Sequence, residues 1–369
     1  MDFTPTTGQQ DASDLAREIL RDRCTTQRLT EVEKAGDRLD RDLWREIGRA
    51  GLIGLALPED DGGAGLGILE LVSVLEEAGR VVAPLPLATH VPTAMAIARF
   101  GDRAQREEWL PAAAAGDNVL TSAVTEDRAD TPQSPTTTAR RDGDGWVLSG
   151  TKTTVPDGTA ADLFLVPAAV ERGVELFLVR PDDAGVQVEP QLLSDGDAAA
   201  RVELDAVRVG ADRLLAGGRS AYDWLVQHLT VATSAHQLGV CAGALELTAA
   251  YARTREQFGR PIGSFQAVSQ RLADGYIDVQ GLRLTVTHAA WRLSEDLPAD
   301  VEVATAKLWA ADTGHKIAHT TVHVHGGVGI DLDGEAHRYF TAAKRAEFSL
   351  GGSTVQAIAI GKVLAAEPV

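Results

Sequence analysis

The sequence predicts an α+β protein of three parts. These are an N-terminal helical domain over residues 1–118, a central antiparallel β domain over 119–216 and a C-terminal helical bundle over 217–369. Apolar residues recur at helical spacing in the first part. Short apolar or alternating runs separated by turn residues fill the second, as is typical of a β-sandwich or barrel. Long helical stretches with short connections fill the third, as is typical of a bundle.

The N-terminal part contains three helical segments with clear ends. LWREIGRAGLIGLALPEDDGG, from Leu43, begins amphipathic and stops at Pro58 and the glycines after it. ILELVSVLEEAGRVVAP repeats apolar residues at helical spacing from Ile68 and ends before Pro84. EEWLPAAAAG predicts a last short helix that ends at Gly116.

From Val119 onward, the central part changes from a helical pattern to a strand-like pattern. VLTSAVT, TTTARR, WVLSG, LFLVPAAV and VELFLV are short strand-like runs, and DGDG, PDG and PDDAG separate them. DRADTPQSPTTT, from Asp127, is rich in turn residues and proline, and it predicts a loop.

The C-terminal part carries long helical patterns. LGVCAGALELTAAYARTREQFG places Leu238, Cys241, Leu245 and Ala249 on one stripe. FQAVSQRLADGYIDVQGLRLTVTHAAWRLSEDL continues for about 30 residues before Pro298. VEVATAKLWAADTGHKIAHTTVHVHGG predicts a third long helix that ends at glycines.

Composition narrows the functional classes. The chain has 369 residues, 44% hydrophobic and 24% charged, which is an ordinary globular balance. Its formal net charge of −18 argues against a nucleic-acid partner, because such a partner needs a basic face. The only cysteines, Cys24 and Cys241, lie far apart, so neither a disulfide framework nor a cysteine zinc site is expected.

Targeting and membrane signals are not found in the sequence. The first residues, MDFTPTTGQQDASDLAREIL, have no basic region followed by an apolar one, so no signal peptide is expected. No segment offers the roughly 18 consecutive apolar residues of a membrane span. The sequence therefore predicts a cytoplasmic protein without a membrane partner.

The stretch VHVHGGVGIDLDGEAHRYF holds three histidines and three closely spaced glycines. His323 and His325 are two residues apart, whereas metal ligands on a helix usually lie three or four apart, so no metal site is expected. Gly326 and Gly327 have two readings. They end the helix and form a turn, or they bring backbone amides close to an anion.

The stretch YARTREQFGRPIGSFQAV also has two readings. A helix that carries Arg253 and Arg255 is predicted to end at Gly259, and Pro261 predicts a tight turn. Arg255 can pair with a phosphate, Gln257 can donate hydrogen bonds and Phe258 can stack on a ring. Alternatively, the segment is a capped helical hairpin whose arginines face solvent.

Taken together, these stretches resemble the acyl-CoA dehydrogenase family. YARTREQFGRPIGSFQAV and HVHGGVGIDLDGEAHRYF match its C-terminal four-helix bundle in wording and order. LWREIGRAGLIGLALPEDDGGAGLGILELVSVLEEAG matches its N-terminal domain, and SAVTE and GWVLSGTKT match its central β domain more loosely. The resemblance covers essentially the whole chain and implies an FAD-dependent oxidoreductase that acts on acyl-CoA thioesters.

The resemblance also implies which residues bind FAD. Family members are dimers or tetramers, and the residues of the C-terminal bundle reach the FAD held mainly by the neighbouring subunit. His323 stands where the family usually has glutamine, so that contact is altered. The implied cofactor residues are Arg255, Gln257, Phe258, Gln266, His323, Gly326, Gly327 and, on the ring side, Thr125.

The family's catalytic base is absent from its usual places. Removal of the weakly acidic α-proton needs a positioned carboxylate. The family's apolar–Glu–Gly–Thr turn corresponds here to FSLGGST, where Gly351 takes the place of the glutamate. Some relatives carry the glutamate on the first long helix of the bundle, where alignment puts Leu229. His236, on the same helix, is a candidate base, although a core or surface role is the simpler reading. The catalytic residue is therefore left open.

Contacts to the flavin ring are altered as well. The family places a tryptophan and a threonine after its GxK turn, where this chain has Thr154 and Pro156. Proline has no N–H to donate. The family's glycine–serine–aspartate loop is replaced by DRADTPQS, while Thr125 before it is kept.

These replacements suggest that this chain and a partner subunit contribute different residues to the FAD site. Residues that reach a neighbour's FAD are mostly kept, and residues that act on the chain's own flavin and substrate are replaced. We therefore expect a heteromeric acyl-CoA dehydrogenase in which a homologous partner supplies the base, as in steroid-degrading actinobacterial members of the family. The alternatives are a self-sufficient dehydrogenase with an unusual base such as His236, and a non-catalytic acyl-CoA-binding scaffold.

Overall fold

The computed structural model describes residues 3–36, 38–129, 132 and 134–366. The helices that precede the sheet are α1 Thr7–Arg23, α2 Thr26–Ala35, α3 Arg41–Arg49, α4 Ile68–Arg80, α5 Leu87–Phe100 and α6 Arg103–Ala115. Those that follow it are α7 Gly218–Thr254, α8 Gln266–Ser294, α9 Asp300–His325, α10 Ala336–Phe348 and α11 Ser353–Ala366. This order of helices, sheet and helices confirms the predicted fold class. Of the predicted loop from Asp127, residues 130, 131 and 133 lie outside the described part.

The strands form one large sheet and one small hairpin. They are β1 Leu120–Ser122, β2 Thr138–Asp142, β3 Gly145–Val155, β4 Leu163–Val170, β5 Gly173–Val179, β6 Val186–Pro190, β7 Ala200–Val209, β8 Leu214–Leu215, β9 Glu256–Gln257 and β10 Arg260–Pro261. The sheet order is β6-β7-β3-β2-β4-β5-β8, with β1 added on β4. The hairpin pairs β9 with β10.

Two strand pairs correct the prediction of a purely antiparallel domain. β1 runs parallel to β4, with Leu120 opposite Leu163, and β2 meets β4 in parallel at Thr138 and Ala169. In the chain, the β2–β3 hairpin lies between β1 and β4, and β3 lies between β2 and β4, which provides the long connections that parallel pairing needs. Alternating hydrophobicity within a strand does not reveal its partner's direction, so the sequence pattern missed these pairs.

The described chain divides into two compact units. The first, called here the β unit, comprises Val32–Leu71 and Pro84–Leu229. The second, called the C-terminal unit, comprises Met1–Glu31, Val72–Ala83 and Thr230–Val369. The boundaries near residues 118 and 216 stay predictions.

The β unit is built around the apolar face of the sheet. Trp146 packs edge-on against Phe177 at 5.3 Å between ring centroids, inside a cluster that includes Leu148 and Phe164. The imidazole of His90, on α5, accepts a hydrogen bond from the Leu120 amide and also contacts the Ala113 carbonyl. Complete burial lowers the pKa of His90 to about 4, so this side chain is a neutral structural group.

Glycines bring α4 and α7 into backbone contact in the C-terminal unit. A Cβ added at Gly79 would lie 2.0 Å from the His236 carbonyl oxygen. One added at Gly239 would lie 1.9 Å from the Glu76 oxygen, and one at Gly243 would lie 2.1 Å from the Arg80 oxygen. No real side chain fits at such distances, so this contact, called here the glycine seam, requires glycine at all three positions.

The last two helices present an apolar surface. The stretch Ala336–Ala366 has the hydropathy of a candidate membrane span, yet it is interrupted at residues 349–352. Its two helices have 13 and 14 residues, and a span needs about 20. Only 11% of its most apolar window is buried within the chain, so these side chains are available to another protein surface.

Candidate functional site

The segment after α7 is a tight hairpin that carries an exposed aromatic ring. β9 and β10 pair around Phe258 and Gly259, whose φ values are +54° and +77°. Two consecutive residues with positive φ form the turn type preferred in two-residue hairpins. Gly259 adopts this conformation freely, but Phe258 is strained there. Its side chain is 92% exposed, so the strained turn presents an aromatic ring outward.

Neighbouring side chains hold this hairpin in place. The ring of Phe258 packs edge-on against Phe265 at 6.1 Å. The guanidinium of Arg260 lies over the Phe265 ring at 4.1 Å from its centroid. The Arg255 amide donates to the Tyr251 carbonyl at 2.8 Å, and the Arg255 carbonyl accepts from the Ile262 amide at 2.8 Å.

Two polar residues of the hairpin segment, Arg255 and Gln257, are exposed. The guanidinium of Arg255 is exposed, and no carboxylate among the described residues forms an ion pair with it. The side-chain amide of Gln257 bonds only locally, to the Glu256 carbonyl at 2.7 Å. These donors can therefore bind a ligand that lies outside this subunit.

The glycines after α9 lie at the same end of the bundle as the hairpin. His325, the last residue of α9, stacks on Tyr251 with ring centroids 4.3 Å apart. One turn earlier, the hydroxyl of Thr248 donates to that of Thr321 at 3.0 Å. These contacts join the end of α7 to the end of α9. The hairpin and the glycine turn that follow these helices are thus neighbours.

The glycines of this turn differ in role. Gly326 has φ +64° and ψ −140°, a conformation restricted to glycine. A Cβ added at Gly326 or Gly327 would meet nothing within 4 Å, so both expose backbone. A Cβ at Gly329 would lie 2.9 Å from the Val322 oxygen, so Gly329 is needed for packing. This turn therefore both ends α9 and exposes the backbone at Gly326 and Gly327.

The start of α8 completes this surface. Gly275 of α8 faces Ile317 of α9, and Gly281 faces Trp309, so the two helices run antiparallel. Gln266 lies nine residues before Gly275 and begins α8 at the level where α9 ends. No side chain caps α8, and the amides of Gln266 and Ala267 precede its first backbone hydrogen bond, from the Val268 amide to the Phe265 carbonyl.

Seven predicted residues therefore lie at one end of the C-terminal unit, which we call the outward arm. Its members are Arg255, Gln257, Phe258, Gln266, His323, Gly326 and Gly327. It combines a cation, amide donors, a helix N-terminus, open glycine backbone and an aromatic ring. This set suits a ligand that joins a phosphate group to a flat ring system.

The three histidines of this stretch do not converge. His323 is exposed, while His325 is held by a 2.7 Å contact from Nδ1 to the Thr321 carbonyl. Among residues 3–36, 38–129, 132 and 134–366, no group of three or more histidine, cysteine, aspartate or glutamate side chains is arranged to hold a metal ion.

Thr125 lies in the β unit, beside a buried ion pair that the sequence reasoning missed. The Thr125 carbonyl accepts a 3.0 Å hydrogen bond from the Thr153 amide. The next residue, Glu126, forms a 2.6 Å ion pair with Lys152, and both side chains are buried. Both belong to stretches that match the family, SAVTE and GTKT, and their opposite charges are the signal that could have revealed the pair.

The positions expected to face a flavin ring have an irregular backbone. The β3–β7 ladder shifts register between Lys152 and Val155. Within this bulge, Thr154 has φ +46°, which is rare for a β-branched residue. The Pro156 carbonyl accepts a 2.7 Å hydrogen bond from the Thr121 hydroxyl. Gln191, whose side chain reaches this bulge, was also missed, because no sequence pattern links residues so far apart.

The turn that carries the family's base is well formed here without a carboxylate. Gly351 is buried and has φ +95°. The side chain of Gln356 donates to the Leu350 carbonyl at 2.9 Å. Lys307, also missed, is fully buried and donates to the carbonyls of Ala346 and Glu347 at the end of α10.

The alternative positions for a base lie on α7. Leu229 is a buried core residue with 3% exposure. His236 is half-buried, and its carbonyl takes part in the glycine seam. His236 remains the candidate of the self-sufficient alternative.

Comparison with known proteins identifies the family. The model of the acyl-CoA dehydrogenase N-terminal domain matches residues 6–117, that of the middle domain matches 121–207, and that of the C-terminal domain matches 217–365. The chain belongs to the acyl-CoA dehydrogenase family. Members of this family are oxidoreductases that act on CH–CH bonds, and they bind FAD.

Two curated relatives come from Mycobacterium tuberculosis. Acyl-CoA dehydrogenase FadE27 is 47% identical over 377 residues, covering 100% of both chains. Acyl-CoA dehydrogenase FadE28 is 32% identical over 355 residues, covering 95% of this chain and 96% of the relative.

Two similar solved structures are complexes of unlike chains. A chain of the ChsE4–ChsE5 complex from M. tuberculosis has a TM-score of 0.96 and 47% identity, with 100% of both chains covered. A chain of the Tcur3481–Tcur3483 steroid ACAD, solved as a variant, has a TM-score of 0.92 and 43% identity, with 97% of this chain and 98% of that chain covered. Homologues of this chain thus form heteromeric complexes.

Proposed function

We propose that this chain is a subunit of a heteromeric FAD-dependent acyl-CoA dehydrogenase, in which it completes the FAD site of a homologous catalytic partner. The observation that carries the proposal is an asymmetry. The outward arm is complete and faces solvent, whereas the turn expected to supply the base holds a buried glycine.

The arm fits one part of FAD. The guanidinium of Arg255 would pair with the pyrophosphate, and the ring of Phe258 would stack against the adenosine. Gln257 would donate a hydrogen bond, and the amides at the start of α8, at Gln266, would favour the same negative charge. The backbone at Gly326 leaves room for close approach, with His323 beside it.

The chemistry then falls to the partner. The bound flavin supplies the acceptor for the hydride that leaves the β-carbon of the acyl-CoA. The α-proton requires a base, and this chain has Gly351 and Leu229 at the two places where the family carries its glutamate. This chain's own role is therefore to bind and orient the cofactor across the subunit interface.

The relatives support a substrate class and a setting. One similar solved structure, Tcur3481–Tcur3483, is a steroid ACAD of unlike chains. We infer an acyl-CoA substrate with a steroid-derived acyl group, a dimeric or tetrameric assembly with a homologous subunit, and a cytoplasmic location.

Two other functions make different predictions. A self-sufficient dehydrogenase would use an atypical base such as His236 and would be active alone. A non-catalytic acyl-CoA-binding scaffold would hold no flavin in any state. Neither explains why the outward arm is kept while the ring-side residues are replaced.

The test is to purify the chain alone and co-expressed with the homologous dehydrogenase encoded beside it. We expect a colourless single chain and a yellow complex whose flavin is bleached by acyl-CoA. A yellow single chain bleached by acyl-CoA would establish self-sufficiency, and a colourless complex would favour the scaffold.

A variant pair tests the arm within that complex. Arg255→Ala removes the cation proposed for the pyrophosphate and should lower the flavin content of the complex several-fold at limiting FAD, measured by absorbance. Arg49→Ala removes another exposed arginine, on α3 of the β unit, and should leave flavin content unchanged. Equal flavin in both variants would remove Arg255 from the cofactor site.

A further inference from the structure

The bulge in β3 leaves backbone donors that the sheet does not use. The ladder between β3 and β7 is interrupted after Lys152 and resumes at Val155. Thr153 and Thr154 therefore lack cross-strand partners, and an unpaired amide at a bulge is free to bind a ligand. In the family resemblance, Thr154 and the nearby Pro156 stand where a subunit meets its own flavin ring.

Both donors are occupied from within the chain. The Thr153 amide donates to the Thr125 carbonyl at 3.0 Å. The Thr154 amide donates to Oε1 of Gln191 at 2.6 Å. Nε2 of Gln191 donates to the Thr153 hydroxyl at 3.1 Å, so one side chain contacts two consecutive residues of the bulge. Proline at 156 contributes no donor.

Gln191 is held in this position by its own loop. Its amide donates to the Ala199 carbonyl at 2.9 Å. Farther along the same loop, a guanidinium nitrogen of Arg38 donates to the Asp195 carbonyl at 2.6 Å. Anchoring at both points keeps the side-chain amide of Gln191 against the bulge.

We propose that Gln191 is a specificity-determining residue that closes this chain's own flavin-ring position by binding the bulge at Thr153 and Thr154. This inference rests on the proposed function, because it explains how one subunit keeps its outward arm yet holds no flavin of its own. A copy of this chain paired with itself would have the arm but not an open ring position.

Hydrogen exchange tests the contact directly in the full-length chain. Gln191→Ala leaves the Thr154 amide without its acceptor, so that amide should exchange about tenfold faster. Gln191→Glu keeps a carboxylate oxygen as acceptor and should restore slow exchange. Gln187→Ala changes an exposed glutamine on β6 and should have no effect. Unchanged exchange in Gln191→Ala would overturn the proposal.

Cofactor binding tests the closure, which a purely structural role would not affect. With excess FAD, Gln191→Ala should quench flavin fluorescence at sites that the wild-type chain and Gln191→Glu lack. If Gln191→Ala binds no more FAD than wild type, the closure is refuted even though the hydrogen bond exists. If the wild-type chain alone binds FAD and is bleached by acyl-CoA, the proposed function fails instead, whatever the exchange data show.

Discussion

Glu126 is a buried carboxylate surrounded by donors. Burial by itself would raise its pKa, but the Lys152 ammonium and the hydrogen bonds from Thr136 outweigh this and hold the pKa at about 2. A carboxyl group whose pKa is depressed by folding stabilises the native state above its unfolded pKa. The stabilisation is lost as pH falls through the folded value. We therefore expect a contribution of ~3 kcal/mol that is complete above about pH 4.5 and disappears towards pH 2.

Replacing this carboxylate should be costly at neutral pH. Glu126→Gln leaves Lys152 buried and uncompensated, so the free energy of unfolding should fall by about 3–5 kcal/mol, measured by urea denaturation. The free energy of unfolding of this variant should also fall less than that of the wild type as the pH is lowered from about 4.5 to 2. Glu107→Gln, in the exposed pair with Arg103, should cost less than about 1 kcal/mol. Equal losses in the two variants would contradict a special role for the buried pair.

Gly351 and Gly352 form a matched pair that tests backbone strain. Gly351 has φ +95°, so Gly351→Ala should lower the free energy of unfolding by about 1–2 kcal/mol. At Gly352 an added Cβ would meet only the Glu347 oxygen at 3.7 Å, an ordinary contact. Gly352→Ala should therefore change stability by less than about 0.5 kcal/mol. The same strain falls on Gly351→Glu, so that variant should not make the single chain active.

At the scale of elements, the β9–β10 hairpin carries Phe258, whose ring is proposed to bind the cofactor but whose positive φ lowers stability. Phe258→Asn places a residue that tolerates positive φ in the turn, and we expect about 0.5–1 kcal/mol of added stability, seen as a higher Tm. The same change removes the exposed ring and should reduce flavin content in the heteromeric complex. Phe258→Ala loses the ring and keeps the strain, so it should reduce flavin without raising Tm. Full flavin content in both variants would exclude the ring from the cofactor site.

Sequence reasoning found the elements whose signals are local. The glycines from Gly326 mark the end of α9, as predicted, and Pro261 marks a tight turn. The helix predicted to reach Gly259 was wrong at its end, because α7 stops at Thr254 and the residues after it pair as β9 and β10. The parallel pairing of β1 and β2 with β4 was missed, because it joins strands that lie tens of residues apart in the chain. The contact between Gln191 and Thr154 joins a side chain to a distant backbone amide, and neither residue type signals its partner.

At the scale of the whole molecule, exposed apolar side chains are concentrated in the C-terminal unit. They include Tyr276, Ile277 and Leu284 on α8, Val328, Ile330 and Leu332 after α9, Phe348 at the end of α10, and Ile358, Val363 and Leu364 on α11. Exposed apolar groups in such number indicate a surface that another chain covers. A homologous partner subunit is the occupant that the proposed function requires.

Charged substitutions test this surface. Ile277→Lys and Leu284→Lys together should weaken association with the partner at least tenfold, because two buried apolar contacts are replaced by desolvated charges. Sedimentation velocity of the co-purified complex provides the measurement. Leu192→Lys, at a side chain that is 96% exposed in the β unit, should leave the complex intact. An unchanged sedimentation profile of the double variant would place the interface elsewhere.

The glycine seam between α4 and α7 constrains how this bundle can diverge. Its spacing is determined by main-chain atoms at Gly79, Gly239 and Gly243, and main-chain dimensions do not vary with sequence. Substitutions that change side-chain volume elsewhere in the bundle therefore cannot change the distance between α4 and α7. Size changes accumulated over evolution must instead be absorbed by α8, α10 and α11, whose exposed apolar side chains the proposed function assigns to a partner. The contact between α4 and α7 is therefore fixed, whereas the exposed surface of α8, α10 and α11 can change. New partner contacts would arise on that exposed surface.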